Sequence, residues 1–181
     1  MQAVCVFCGA NSGTDPQFLQ GARALGEALA ATQRTLVYGG AKVGLMGAIA
    51  DRALEAGGKV IGVLPQSLVE REVAHGGLTQ LHIVSSMHER KTMMARLSDA
   101  FIMMPGGLGT LEEFFEVWTW AQLGLHQKPI GVFGPASFFS PLVAYLDHLV
   151  TQGFVRPEHR RMVALEEDPY SLLERLERCG C

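Results

Sequence analysis

Residues 99–118, DAFIMMPGGLGTLEEFFEVW, decide how the rest of the chain is read. The segment starts as a short apolar strand, breaks at Pro105-Gly106-Gly107, and resumes as a helix carrying two adjacent carboxylates, Glu112 and Glu113, in its first turn. A glycine loop that opens a helix suits an anion, because free backbone N–H groups and the positive end of the helix dipole converge there. Two glutamates at the same place repel one. A substrate that is anionic at one end and develops positive charge at the other satisfies both features.

The same alternation of strand and helix extends in both directions. AVCVFC, TLVYGG, KVIGVLP, LHIVSS, DAFIMM, KPIGVFG and MVALEE read as strands, all short and apolar without polar alternation. Helices are expected from about Pro16 to Ala31, over AIADRALEAG, over MHERKTMMARLS, from Thr110 onward, from about Ser137 to Thr151, and after Asp168-Pro169. Short buried strands each followed by a helix make a mostly parallel sheet covered on both faces, an α/β Rossmann-like doubly wound fold. Ligands in such folds sit at the carboxyl ends of the strands. Three of those ends are glycine-rich here, at Gly9 to Gly13, Gly39 to Gly47 and Gly106 to Gly109.

At 181 residues with no visible linker, residues 1–181 are expected to form a single domain. Apolar residues make up 48% and charged residues 18%, which excludes a disordered chain. A net charge of −3 is poor footing for a nucleic-acid partner, so a small molecule is expected instead. The absence of a membrane-length apolar run or a leader pattern makes a cytoplasmic protein without membrane contact the expectation. Cys5 and Cys8 fall in a C-x-x-C within a strand, where alternation sends them to opposite faces, a poor zinc pair.

Several familiar sites are missing from the pattern. GGAKVGLMG is not G-x-G-x-x-G, and no acidic residue closes the following strand, so a dinucleotide site lacks its fingerprint. No G-K-[ST] opens a helix, no nucleophile elbow is present, and the histidines lack metal-ligand spacing. Neither a metal nor a redox cofactor is expected.

The candidate residues each carry a second reading. Thr110 to Glu113 is also a T-x-x-E capping box, in which Glu113 merely reaches back to the helix start. Ser86 to Glu89 is another such box. Arg90 and Lys91 fall in the opening of that helix, where cations oppose the dipole; an anionic ligand, or the carboxylates of the neighbouring loop after DAFIMM, would offset the penalty, and a solvated basic turn is the plain alternative. Thr119 lies one and a half turns beyond Glu113, and its hydroxyl is as well suited to bonding back to its own helix. Phe114, Phe115, Trp118 and Trp120 surround one helix on nearly every side, which points to a partner subunit and a homodimer.

With these residues in hand, the chain resembles the LOG family, the cytokinin riboside 5′-monophosphate phosphoribohydrolases, over practically its whole length. The marks are PGGLGTLEE, MHERK before it, YGGAKVGLMG and VFCGANSG upstream, and TWAQLGLHQKPIG downstream. The family usually has a third glycine where this chain has Ala41, whose methyl would narrow that loop slightly. The resemblance implies hydrolysis of the N-glycosidic bond of an adenosine 5′-monophosphate, often N6-modified, to free base and ribose 5-phosphate, by a dimer with active sites close to its interface. By matching motif, Arg90 and Glu113 are the catalytic pair, while Glu72, Lys91, Gly107, Leu108, Gly109, Thr110, Leu111, Glu112 and Thr119 contact substrate. Members have often carried a lysine decarboxylase label, for which no Schiff-base lysine stands out here. A catalytically silent module that binds AMP-like nucleotides is the alternative, and a DNA-binding relative of the fold a weaker one.

Overall fold

A computed structural model describes residues 1–69 and 74–179 of the chain. All seven expected strands form: β1 Ala3–Phe7, β2 Thr35–Tyr38, β3 Val60–Pro65, β4 Gln80–Val84, β5 Ala100–Met103, β6 Ile130–Phe133 and β7 Val163–Glu166. Between and after them run α1 Pro16–Ala31, α2 Gly44–Glu55, α3 Met87–Arg96, α4 Leu108–Gln122, α5 Ala136–Thr151, the short α6 Pro157–Arg160 and α7 Pro169–Cys179. The strands join one parallel sheet in the order β4-β3-β2-β1-β5-β6-β7. This is the Rossmann-like doubly wound architecture that the strand pattern predicts. Among the described residues no helix is long and apolar enough to cross a membrane.

The sheet is apolar on both faces because helices cover both. Val4, Val6, Leu36, Tyr38 and Ile102 meet α1, α2 and α7 on one side. Cys5, Phe7, Val37, Phe101 and Met103 meet α3, α4 and α5 on the other. Cys5 and Cys8 therefore do face opposite layers. The order of the strands reverses between β1 and β5: from β1 the chain winds outward through β2 to β4, then returns to pair β5 with the free side of β1. The loops leaving β1 and β5 diverge there, and a crevice opens at the carboxyl edge.

Helix starts follow local chemistry where a side chain can cap. The Asp15 carboxylate accepts from Gln17 N (2.9 Å), that of Asp168 from Ser171 N (2.7 Å), and Ser86 Oγ from Glu89 N (3.1 Å). Glu89 reaches back one residue past the cap, accepting from Ser85 N (2.8 Å) and Ser85 Oγ (2.7 Å). Two starts differ from expectation. Helix α2 begins at Gly44 rather than Ala48, because Gly9 O in the neighbouring loop accepts from Leu45 N (3.0 Å) and caps it from a distance. Helix α4 begins at Leu108 with Gly107 as cap and no side-chain capping bond, so Thr110 lies inside the first turn and the expected T-x-x-E box is not formed.

Helices α1 and α2 touch at Gly26, where an added Cβ would lie 2.5 Å from Ile49 O and 3.2 Å from Ala53 N. Overpacking of this kind costs about 1–3 kcal/mol, and a rigid carbonyl belongs at the upper end, outweighing the roughly 1 kcal/mol by which alanine favours a helix. Gly26→Ala is expected to lower Tm by several degrees in thermal unfolding. An unchanged Tm would mean that the two helices separate without cost.

Candidate active site

The crevice at the β1–β5 reversal holds a cavity of about 530 Å³, within the range of small-molecule sites. Its walls are the loop Gly9 to Gly13 after β1, the loop Pro105 to Gly107 with Gly109 and Thr110 after β5, the start of α2, and Arg90 from α3. The two loops are joined by Gly9 N donating to Pro105 O (3.0 Å). Of the three glycine-rich strand ends, two line the cavity with backbone. The third is spent on packing: Gly44, at φ +58°, is pressed on the backbone of Ala10, and Gly40, at φ +82°, lies against Leu64 and Leu81. Ala41 is buried in the core, pairs with Ala74 and is not in the cavity wall, so its methyl does not narrow the site.

The start of α4 faces this space with no side-chain cap. Its orphan N–H groups and dipole favour an anion. Gly106 is required by packing, since a Cβ there would meet the Thr110 side chain. A Cβ on Gly107 or Gly109 would meet no protein atom within 4 Å. Backbone bared toward open space is what a close-approaching phosphate needs.

Arg90 is 94% buried, and its guanidinium is fixed mainly by backbone: Nε donates to Val63 O (3.1 Å) and Nη2 to Gly39 O (3.0 Å), with Nη1 on the Met87 sulfur (3.8 Å). Among the described residues no carboxylate lies within ion-pair distance of it. Among the described residues its direct partners are thus carbonyl dipoles and a thioether. Gly39 is where this arrangement is tightest, because a Cβ there would lie 2.2 Å from Arg90 Nη2.

Glu113 also lines the cavity, in the second turn of α4 and clear of any capping position. Cys8 shares the wall. Burial first, and the charge of Glu113 second, push the Cys8 thiol far up, and Cys5 likewise, so both remain protonated and are poor nucleophiles.

The remaining expected contacts divide. Gly107, Gly109, Thr110 and Glu112 line the cavity together with the pair; Leu108, Leu111, Lys91 and Thr119 do not. Leu108 is 87% exposed. Thr119 Oγ1 bonds back to Phe115 O (2.7 Å), the local alternative. Lys91 Nζ binds Glu112 Oε1 (2.5 Å) and Glu116 Oε1 (3.0 Å), joining α3 to α4. Glu72 lies outside the described residues. Sequence reasoning passed over Asn11, Ser12, Met87, and the edge-to-face pair Phe18–Phe138 (5.1 Å), all in the wall. Asn11 and Ser12 carried a signal, as polar residues between glycines at a strand end; Phe18 and Phe138 come together only through the strand order.

Residues 46–176 match the family described as possible lysine decarboxylase. The cytokinin riboside 5′-monophosphate phosphoribohydrolase of Rhodococcoides fascians is 49% identical over 168 residues, 92% of this chain and 85% of that protein. Its namesake from Arabidopsis thaliana is 42% identical over 174 residues, covering 96% and 80%. Among solved structures, the molybdenum cofactor binding protein of Rippkaea orientalis superposes with a TM-score of 0.74 at 22% identity, over 98% of this chain and 96% of the other. The molybdenum cofactor carrier protein of Chlamydomonas reinhardtii gives 0.74 at 20%, over 98% and 97%. At those identities the likeness is one of fold. The chain belongs to the LOG family, the cytokinin riboside 5′-monophosphate phosphoribohydrolases, which the possible lysine decarboxylase description also covers.

Proposed function

We propose that the chain hydrolyses the N-glycosidic bond of adenosine 5′-monophosphate, plain or N6-substituted, to free base and ribose 5-phosphate. The observation that carries this reading is one cavity in which an uncapped, glycine-bared helix start lies beside a carboxylate and a buried guanidinium. The names of the relatives support the same reaction. The phosphate is assigned to the amides from Gly107 to Thr110. As the C1′–N bond breaks, its electron pair leaves with the purine and positive charge grows on the ribose. Glu113 meets that charge and aligns the water whose oxygen bonds to C1′, while Arg90 offers a fixed positive charge to the anionic parts of the substrate.

A decarboxylase reading lacks its amine. Among the described residues no lysine lines the cavity. Burial works against the Lys91 charge, but the hydrogen bonds to Glu112 and Glu116 outweigh it and hold its pKa above the usual value, the reverse of what a Schiff-base nucleophile requires.

The homodimer is part of this proposal, on altered grounds. Phe114, Val117 and Trp118 are buried in the chain's own core and Phe115 and Trp120 half-buried against it, so the aromatic helix is largely satisfied within one subunit. Besides Leu108 at its start, the apolar surface left over is just past its end, where Leu123 and Leu125 are 65% and 69% exposed. A cytoplasmic setting and the absence of nucleic-acid and membrane partners are likewise proposed, in keeping with the net charge of −3 and the free thiols of Cys5, Cys8 and Cys179.

Incubation with AMP and with N6-isopentenyl-AMP should release base and ribose 5-phosphate in equal amounts. Cleavage of the nucleoside but of neither monophosphate would overturn the phosphate assignment, and tight AMP binding without turnover over a day would make the protein a silent binder. Glu113→Gln, which keeps the shape and removes the charge, should lower kcat by roughly 10²-fold with AMP affinity retained; unchanged kcat would remove Glu113 from the chemistry. Gly39→Ala should lower kcat/KM by a similar factor by displacing Arg90, and a variant as active as the parent would show that the guanidinium position is immaterial. In sedimentation equilibrium the protein should run at about twice its 19.6 kDa chain mass. A monomer would mean that Leu123 and Leu125 are simply solvated.

A further inference from the structure

Five charged side chains stand on α3 and α4 at or beside the cavity, and only part of the group is absorbed by the reaction. Arg90 and Lys91 are consecutive on α3; Glu112 and Glu113 are consecutive on α4, and Glu116 lies one turn beyond Glu112. Arg90 and Glu113 line the cavity. Lys91 and Glu116 do not, and they are paired with each other through Nζ to Glu116 Oε1 at 3.0 Å, with Glu112 Oε1 on the same ammonium at 2.5 Å.

We propose that Lys91 and Glu116 are positioning residues, a clamp that sets the turn of α4 bearing Glu113 against the turn of α3 bearing Arg90, and that Lys91 does not hold the substrate phosphate. The proposal rests on the reaction assigned above and deepens it.

Two observations carry it. First, the Lys91 side chain is only 11% exposed and both of its bonds go to α4, at residues flanking Glu113 on either side in sequence. An ammonium so placed restrains both the sliding and the rotation of that turn. Second, Glu116 is held by Lys91 on Oε1, while its Oε2 is buried with no hydrogen-bond partner among the described residues. If Lys91 swung out to a phosphate, Glu116 would remain as a partly buried carboxylate without this counter-ion and with its buried oxygen still unbonded among the described residues, which is unfavourable. A phosphate that draws Lys91 away would have to overcome this penalty at every binding event. The amides of α4 offer it a site with no such penalty.

The clamp also settles the charge conflict in the acid-rich turn. Glu112, Glu113 and Glu116 would together repel an anionic substrate. Lys91, bonded to the outer two, offsets one of these charges and holds both carboxylates to itself, with Glu113 assigned to the ribose.

Glu116 distinguishes the two roles for Lys91, because it is not in the cavity wall. Steady-state kinetics with AMP on Lys91→Met, Glu116→Gln and the double variant, together with AMP affinity by calorimetry, make the test. The clamp predicts that each single change lowers kcat about tenfold or more while KM and Kd for AMP stay within about threefold. It also predicts that the double variant is no worse than the poorer single one, since both changes break one interaction. Glu116→Gln with parental kinetics, or Lys91→Met with raised KM and Kd at unchanged kcat, would overturn it and make Lys91 a phosphate ligand. Thermal unfolding checks that each variant is folded; should Glu116→Gln fail to fold, the split between kcat and KM in Lys91→Met decides alone. An inactive parent would refute the reaction instead, and the clamp would then be read from Kd, which a phosphate-binding Lys91 would raise at least tenfold on truncation.

Discussion

The guanidinium of Arg90, held by the carbonyls of Gly39 and Val63, is the constraint around which the site is arranged. These carbonyls lie at the carboxyl ends of β2 and β3, so the sheet itself determines where a buried positive charge stands. A cation taken out of water is costly. Its placement is therefore informative: the cost is offset when an anionic ligand enters the cavity. Gly39 is the backbone condition for this arrangement, since any side chain there would occupy the space of Nη2.

Opposite charge is supplied from the other side of the crevice by α4. That helix brings its uncapped start to one part of the cavity and Glu113, a turn further along, to another. A nucleoside 5′-monophosphate carries its phosphate and its anomeric carbon far enough apart to meet both. The apparent contradiction of a glycine loop beside an acid pair is resolved because the two glutamates differ: both line the cavity, but Glu112 is tied to Lys91, and Glu113 is the one assigned to the ribose. Cys8, kept as a protonated thiol by burial and by the Glu113 charge, adds no competing nucleophile.

Much of this was legible from residues alone, for identifiable reasons. Each strand is short and wholly apolar because it is covered on both faces, and Asp15, Ser86 and Asp168 announce their helices through their own side chains. What escaped depends on contacts between distant segments. The early start of α2 is capped by Gly9 O, 35 residues before Gly44, which no local pattern reports. The glycines from 39 to 47 resemble a ligand loop, but Gly44 is there to pass beneath Ala10 and Gly39 to admit Arg90. Thr110 and Glu113 match a capping box whose frame is displaced by three residues, because Gly107 begins the helix. The carboxylates after β5 are already candidate partners for Lys91 in the sequence, but its spacing does not report that Glu116, a turn further along α4, shares the ammonium with Glu112.

The most direct test of the account is a crystal structure of the Glu113→Gln variant with AMP bound. The account predicts the phosphate on the amides of Gly107 to Thr110, C1′ beside residue 113, and Lys91 still bonded to Glu112 and Glu116. A phosphate bound elsewhere, or Lys91 drawn away from α4 to meet it, would contradict that arrangement.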